Sequence, residues 1–219
     1  MNLPAFGFDI IQEEFIESII IFVYEHLSKW QDRLKLSYDE SEPNLNANLS
    51  KYLNFNARER EFHFSHEEPQ GKKRFVDFAA CYCNTEHYDE SITVFECKCL
   101  SATLPKDRKD EYVTGHKKTT GGIQRFKLEA HGKEHEIVGM IGYVQTGSCS
   151  EWRETINNCI DDLCCKPDEN GLYWTEDEYL NIVEYDKIKN KLYSKSIHPR
   201  ITKPDITIHH LWVNMQETV

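Results

Sequence analysis

The sequence lacks a long apolar run and lacks basic residues at its start. The longest apolar run near the N-terminus, IIIFVY at 19–24, is flanked by Glu17 and Glu25 and is too short to cross a membrane. Where a secretory signal would carry basic residues, the chain has acidic ones: Asp9, Glu13 and Glu14. We therefore expect a cytoplasmic protein without a membrane segment.

Several catalytic motifs are also missing. The chain contains no Gly-rich phosphate loop, no Gly-x-Ser-x-Gly turn and no His-Glu-x-x-His pair, which argues against the enzyme classes that those motifs define. Eight cysteines without an export signal favour reduced thiols over a disulfide framework.

Positive charge is scarce overall and is concentrated in one segment. The formal net charge of −11 argues against a general electrostatic attraction to nucleic acid. Residues 105–127 carry a local charge of +4, which leaves −15 for the rest of the chain, much of it within 161–186. A polyanion could therefore dock only at the basic segment, whereas the acidic stretch would repel it or meet a basic protein.

Apolar spacing predicts two helices before residue 61. Apolar residues recur at helical spacing over 8–36, which indicates one long helix or two helices broken near 27–29. A second helix is predicted over about 42–60, with Ser41 as N-cap and Pro43 in the first turn. The apolar side of the first helix either packs on the protein's own core or docks a partner protein.

From residue 61 the apolar period changes to two, which is typical of strands. Three consecutive runs predict an antiparallel meander: 61–68, 74–83 and 91–99. After a polar loop at 101–122, a short helix is predicted with Gly132 as its C-cap. Residues 137–146 are apolar on both sides, as a central strand would be.

The C-terminal third predicts one more helix and two strands. Ser148 and Glu151 form a capping box that opens a helix ending near Cys165, and strands follow at 190–197 and 204–213. The element order predicts a single α/β domain with a mixed central sheet. Its parts would be an N-terminal helical extension (1–40), a core (42–146) and a C-terminal helix and strand elaboration (147–219).

Three charged residues stand inside these apolar strand sequences. Asp77 lies within RFVDFAA, and Glu96 and Lys98 lie within ITVFECKCL. Residues two apart on a strand face the same way, and if the two strands pair, Asp77 can lie beside Glu96 on one face. Two converging carboxylates repel, and a divalent cation with oxygen ligands, Mg²⁺ or Mn²⁺, removes that cost. Lys98 could then orient or deprotonate an attacking water. The alternative is a structural ion pair.

The cysteines raise the question of a zinc site. Cys81-x-Cys83 shares the strand parity of Asp77, whereas Cys97-x-Cys99 opposes that of Glu96. If Asp77 and Glu96 share a face, the two pairs point to opposite sides of the sheet, which places a single tetrahedral site out of reach without a bulge. Buried structural thiols are the preferred interpretation. His198, His209 and His210 could form a site with His63 or His66, although on a strand at most one of His209 and His210 should face the core.

The arrangement Asp77…Glu96-Cys97-Lys98 resembles the PD-(D/E)XK signature of the restriction-endonuclease-like nuclease superfamily. The predicted elements over about 42–146 are similar to the αβββαβ core of that superfamily, although Val76 replaces the proline of the motif. The run EYVTG…GGIQRFK…HG…GMIGYVQ is similar to small bacterial nuclease-like proteins associated with anti-phage defence. These resemblances imply a DNA target and a larger protein partner, an ATPase or a sensor, that controls the nuclease.

The resemblance also implies roles for further residues. A glutamate of the first core helix often joins the metal site, and Glu42, on the sheet-facing stripe, fits that role with Glu40 as backup. Gln124 fits the polar residue that follows the ExK strand, although an amide that caps the helix or faces solvent is an equal alternative. Arg125 would contact a phosphate.

Together these observations predict a Mg²⁺-dependent deoxyribonuclease. Asp77, Glu96, the Cys97 carbonyl and Glu42 would bind the metal, Lys98 would position the water, and Gln124 would complete the catalytic set. Four basic residues would hold the DNA backbone with little sequence readout: Lys117, Lys118, Arg125 and Lys127. The alternative is a catalytically silent subunit with a nuclease fold that binds a partner protein or nucleic acid. A homo-oligomer is left open.

Overall fold

The fold is described from a computed structural model. It describes residues 5–34, 41–71, 74–84, 87, 90–103, 110–115, 121–165 and 170–216, and side chains from residue 12 onward. The predicted DNA contacts Lys117 and Lys118 and the backup ligand Glu40 lie outside these ranges.

The described ranges contain both helices and strands in an α/β arrangement, as predicted. The helices are α1 (Ala5–Gln31), α2 (Glu42–Asn56), α3 (Gly122–Lys127) and α4 (Cys149–Cys164), with a 3-10 turn at Glu176–Glu178. The strands are β1 (Phe62–Pro69), β2 (Phe75–Tyr82), β3 (Ser91–Leu100), β4 (Ile137–Val144), β5 (Asn181–Asp186), β6 (Lys191–His198) and β7 (Ile206–Asn214).

The strands form one mixed sheet in the order β1-β2-β3-β4-β7-β6-β5. The β1–β2–β3 meander is antiparallel, as predicted, whereas β4 is parallel to both β3 and β7, and β6 pairs antiparallel with β7 and β5. The C-terminal strand β7 therefore lies directly beside β4 and completes the sheet instead of forming a separate layer.

Both faces of the sheet are covered, which explains the doubly apolar sequence of β4. Ile141 and Tyr143 point into the core cluster that contains α1 and α2 residues, and Val138 and Met140 point into the cluster that contains α3 and α4 residues. Strands buried on both faces lose the alternation of polar and apolar residues.

The predictions for the first two helices hold with changes at their ends. Helix α1 is continuous across 27–29, and Ile20, Val23 and Leu27 are buried in the core. Its apolar side therefore packs on the protein itself, which was one of the two alternatives. Pro43 lies in the first turn of α2 as predicted. That helix ends at Asn56, four residues before the predicted end, and the Asn56 side chain donates a hydrogen bond to the Tyr52 carbonyl.

The C-terminal predictions are confirmed for α4, β6 and β7 and wrong in three details. Helix α3 ends at Lys127 with Leu128 as its C-cap, so Gly132, with φ +60°, belongs to a later turn. Strand β5 was not predicted, because its sequence lies within the acidic stretch. His209 and His210 are both fully buried, because each face of the sheet is covered. Neither meets His63 or His66 of β1, because three strands lie between β1 and β7 in the sheet.

Among the described residues, no helix has the length and apolar character that a membrane span requires.

Candidate functional site

The candidate site begins where β2 and β3 cease to pair. Their backbone pairing runs from Cys81 opposite Ser91 to Phe78 opposite Phe95. Just beyond it, the Asp77 carboxylate accepts a hydrogen bond from the Cys97 backbone N–H at 2.6 Å. A side chain thus takes the place of a backbone acceptor, and Asp77 becomes bound to the strand that carries Glu96 and Lys98.

The alternation expected along β2 does not hold through Asp77. Val76 and Phe78, two residues apart, pack into the core clusters on opposite faces of the sheet. Glu67, in the part of β1 that faces Asp77, has the left-handed φ of 56°. The prediction that Asp77 shares a face with Glu96 is therefore wrong in its geometry. Asp77 instead reaches across to the β3 backbone at Cys97, the residue after Glu96.

A buried hydrogen-bond chain holds Asp77 from the α2 side. Asn46 of α2 donates to Asp77 Oδ1 at 2.8 Å, and Tyr143 of β4 donates its hydroxyl to Asn46 Oδ1 at 2.9 Å. Burial raises the pKa of Asp77 to about 7, and the nearby negative charge of Glu96 adds to the effect. The negative charge of Glu96 therefore acts on Asp77, as the sequence analysis expects for two neighbouring carboxylates.

Glu96 is almost completely buried and surrounded by nitrogen donors. Its Oε2 lies 3.0 Å from Nη1 of Arg125 and 3.8 Å from Nζ of Lys98, and its Oε1 accepts a hydrogen bond from Nδ1 of His131. Burial alone would raise the pKa of Glu96, but His131, Lys98 and Arg125 outweigh it and lower that pKa. The carboxylate is thus ionised inside the protein.

Lys98 lies among the oxygens predicted to bind the metal. Its Nζ donates to Glu42 Oε1 at 2.9 Å and to the Cys97 carbonyl at 2.6 Å, and Glu42 Oε2 accepts from the Cys99 backbone N–H at 3.1 Å. Burial lowers the pKa of Lys98, but Glu42, Glu96 and Asp77 outweigh it and raise the pKa above its ordinary value. In this arrangement Lys98 carries its proton and is placed to orient a water.

The structure thus joins Glu42, Asp77, Glu96 and Lys98 in one cluster, supplied by α2, β2 and β3. Helix α2 contributes because Glu42 is its first residue, directly over the end of β3. No three His, Cys, Asp or Glu side chains in the described part of the chain converge into a ready metal-binding group. Oxygen donors of the right type are present, but the protein's own cations contact them.

Gln124 has a structural role in this arrangement. Its side-chain oxygen accepts hydrogen bonds from the backbone N–H groups of Gly115 and Gly121, and the side chain is buried. Gln124 therefore caps the N-terminus of α3 at Gly121 and also binds Gly115. This corresponds to the alternative in which the amide caps the helix.

The prediction that Lys127 contacts DNA is wrong. Its side chain is 1% exposed, and Nζ pairs with Glu178, donates to the Tyr173 carbonyl at 3.0 Å and lies 4.1 Å from the centre of the Trp174 ring. An ammonium enclosed in this way cannot reach a phosphate. Arg125, in contrast, keeps 30% of its side chain exposed.

Sequence reasoning assigned no role to His131. It lies in the turn after α3 and is the histidine of the HG pair in the run quoted for the resemblance, but no sequence spacing links it to Glu96. Only the folded chain brings its ring to Glu96.

One cysteine of each pair is buried, and these two lie on opposite faces of the sheet. Cys81 is in the cluster with α3 and α4, and Cys97 is in the cluster with α1 and α2. Cys99 is half-buried, and Cys83 is exposed, so the expectation of buried thiols is wrong for Cys83. All the described cysteines are free thiols.

Comparisons with models of protein families, with curated proteins and with solved structures find no match to this chain. The site and the sheet topology are therefore the basis for any functional conclusion.

Proposed function

We propose that the protein is a divalent-cation-dependent phosphodiesterase of the PD-(D/E)XK type that hydrolyses DNA. The observation that carries this proposal is the meeting of Glu42, Asp77 and Glu96, from three elements, around Lys98 where β2 and β3 separate. A structural ion pair needs one carboxylate for its lysine. Here three carboxylates share the two cations Lys98 and Arg125, and the raised pKa of Asp77 indicates that its negative charge is poorly compensated. A further cation would compensate that charge.

The order of elements supports the same class. Helix α2, the antiparallel strands β1 to β3, helix α3 and the parallel strand β4 follow one another in the order of the αβββαβ core. The charged residues lie in the second and third strands of this unit, where the resemblance expects them.

The donor chemistry fits Mg²⁺ or Mn²⁺. The available donors are the carboxylates of Asp77, Glu96 and Glu42 and the Cys97 carbonyl, which are hard oxygen ligands. When bound, the cation supplies Lewis-acid stabilisation of the charge that develops on the scissile phosphate.

The chain's own residues have defined tasks in this proposal. Lys98, held protonated, donates a hydrogen bond that orients the attacking water. His131 fixes the orientation of Glu96 by donating to Oε1. Asn46 and the Cys97 N–H fix the orientation of Asp77. Arg125, at the rim, provides a guanidinium for a phosphate oxygen.

Plasmid and linear DNA incubated with Mg²⁺, Mn²⁺ or EDTA provide the direct test. Wild-type protein should cleave with either cation and not with EDTA, and Glu96→Gln should abolish cleavage. Glu90→Gln, which removes an exposed carboxylate just before β3, is the matched control and should cleave normally. Cleavage by Glu96→Gln at the wild-type rate would refute the assignment.

A second candidate is a silent subunit that keeps the fold to bind a partner protein or nucleic acid. The observation in its favour is that both Glu96 oxygens already interact with nitrogen donors of the chain. A cation titration separates the candidates, because a silent subunit would show no stabilisation by Mn²⁺. Control by a larger ATPase or sensor remains part of the proposal through the anti-phage resemblance.

A further inference from the structure

Arg125 bridges the buried carboxylate of Glu96 and the protein surface. Its Nη1 lies 3.0 Å from Glu96 Oε2, and its side chain is 30% exposed whereas that of Glu96 is 1% exposed. The guanidinium therefore neutralises a buried charge from a position that solvent, or a phosphate in solution, can reach.

Among the three nitrogen donors near Glu96, Arg125 has the most exposed side chain. His131 is 7% exposed and Lys98 is 13% exposed. Lys98 is held more closely by Glu42 and the Cys97 carbonyl than by Glu96. Moving Arg125 outward would remove the cation nearest to Oε2 of Glu96 and leave Lys98, 3.8 Å away, as the other cation at that oxygen.

We infer that Arg125 exchanges partners, from Glu96 in the free protein to a phosphate of the polyanionic substrate, and thereby couples substrate binding to divalent-cation binding at Glu96. This inference rests on the proposed function. An arginine suits both partners, because its planar fork matches carboxylate and phosphate oxygens alike.

Phosphate binding at Arg125 and cation binding at Glu96 are coupled because each is unfavourable without the other. If Arg125 leaves, Glu96 becomes an under-compensated buried charge, which is strongly unfavourable. If a cation binds while Arg125 stays, two positive groups compete for the same carboxylate oxygen. When a phosphate takes Arg125 and a cation takes Glu96, both costs disappear. Each ligand therefore raises the affinity for the other by the same factor.

The first test measures cation affinity without substrate, by calorimetric titration of chelator-treated full-length protein with Mn²⁺. Arg125→Gln should bind Mn²⁺ about tenfold more tightly than wild type, because the competing charged hydrogen bond is gone. Arg58→Gln is the matched control, since it removes one arginine just beyond the far end of α2 from Glu42, about 20 Å along the helix axis. It should bind Mn²⁺ like wild type.

The second test measures the coupling directly, with a short DNA duplex as polyanion and Ca²⁺ as an oxygen-seeking cation. Wild type should bind the duplex several-fold more tightly with Ca²⁺ than with EDTA. Arg125→Gln should bind it weakly, with little dependence on Ca²⁺. If Arg125→Gln fails to fold, Arg125→Lys replaces it. That variant keeps the charge without the fork and should show intermediate Mn²⁺ affinity.

The outcomes separate the inference from the proposed function. Equal, measurable Mn²⁺ affinity in wild type and the Arg125 variants would overturn the partner exchange and leave the metal site standing. An absence of Mn²⁺ binding in all variants would overturn the proposed function and, with it, the inference. Duplex binding by wild type that ignores Ca²⁺ would also overturn the coupling.

Discussion

Replacing Asp77 by Asn should stabilise the protein in the presence of EDTA. The variant removes a negative charge that burial and Glu96 make unfavourable, which is why the pKa of Asp77 is raised from 3.8 to about 7. At about 1.4 kcal/mol per pH unit, that difference corresponds to about 4 kcal/mol above pH 7. The Asp77 side chain keeps some contact with solvent, which reduces the gain to about 3 kcal/mol. An asparagine has one acceptor oxygen for the two donors Asn46 and the Cys97 N–H, which costs about 1 kcal/mol, so we expect a net gain of about 2 kcal/mol.

The stability difference between Asp77→Asn and wild type should depend on pH. The unfolded chain releases the Asp77 proton near pH 4, whereas the folded protein keeps it until about pH 7. The unfolded state therefore binds fewer protons across this window, and the stability contributed by Asp77 falls as pH rises through it. The advantage of Asp77→Asn over wild type should grow from pH 4 to pH 7 and then level off.

Urea unfolding at several pH values, with EDTA throughout, measures this difference. Asp162→Asn, at an exposed position of α4, is the matched control and should leave the pH profile unchanged. Adding Mn²⁺ should reverse the order, since wild type would gain a stabilising ligand that the variant binds poorly. An Asp77→Asn variant less stable than wild type at pH 8 in EDTA, or equally offset at every pH, would refute the electrostatic account.

Three further outcomes follow from the described contacts. Glu178→Gln should lower the free energy of urea unfolding by about 3 kcal/mol, because it leaves the buried Lys127 ammonium without its counter-charge. Glu176→Gln, at an exposed position, should leave that free energy unchanged, and equal stabilities of the two variants would contradict the pairing. Gly142→Ala should cost about 2 kcal/mol in thermal unfolding, because its Cβ would lie 2.4 Å from the Trp212 ring, and an unchanged melting temperature would disprove that contact. Purified protein alone should degrade duplex DNA slowly at physiological salt, because a net charge of −11 weakens DNA binding, and rapid partner-free degradation would defeat the idea of partner control.

The sequence alone determined most of the secondary structure and the place of the unusual charges. Changes in apolar period located α1, α2 and the three strands of the meander, because period reports which side of an element is buried. The Ser148–Glu151 capping box located the start of α4, since capping depends on residues close in sequence. Asp77, Glu96 and Lys98 stood out because charges are rare in buried strands.

The tertiary structure decided which partner each of those charges has. The position of β7 beside β4, the departure of Asp77 from strand alternation, and the contact of His131 with Glu96 all depend on residues distant in sequence. Lys127 is a further example. Its place in a basic segment near Arg125 indicates an exposed cation, but the folded chain buries it and pairs it with Glu178, 51 residues further along the chain. Sequence pattern predicts that a side chain is buried or charged, but its partner is set by how the elements pack.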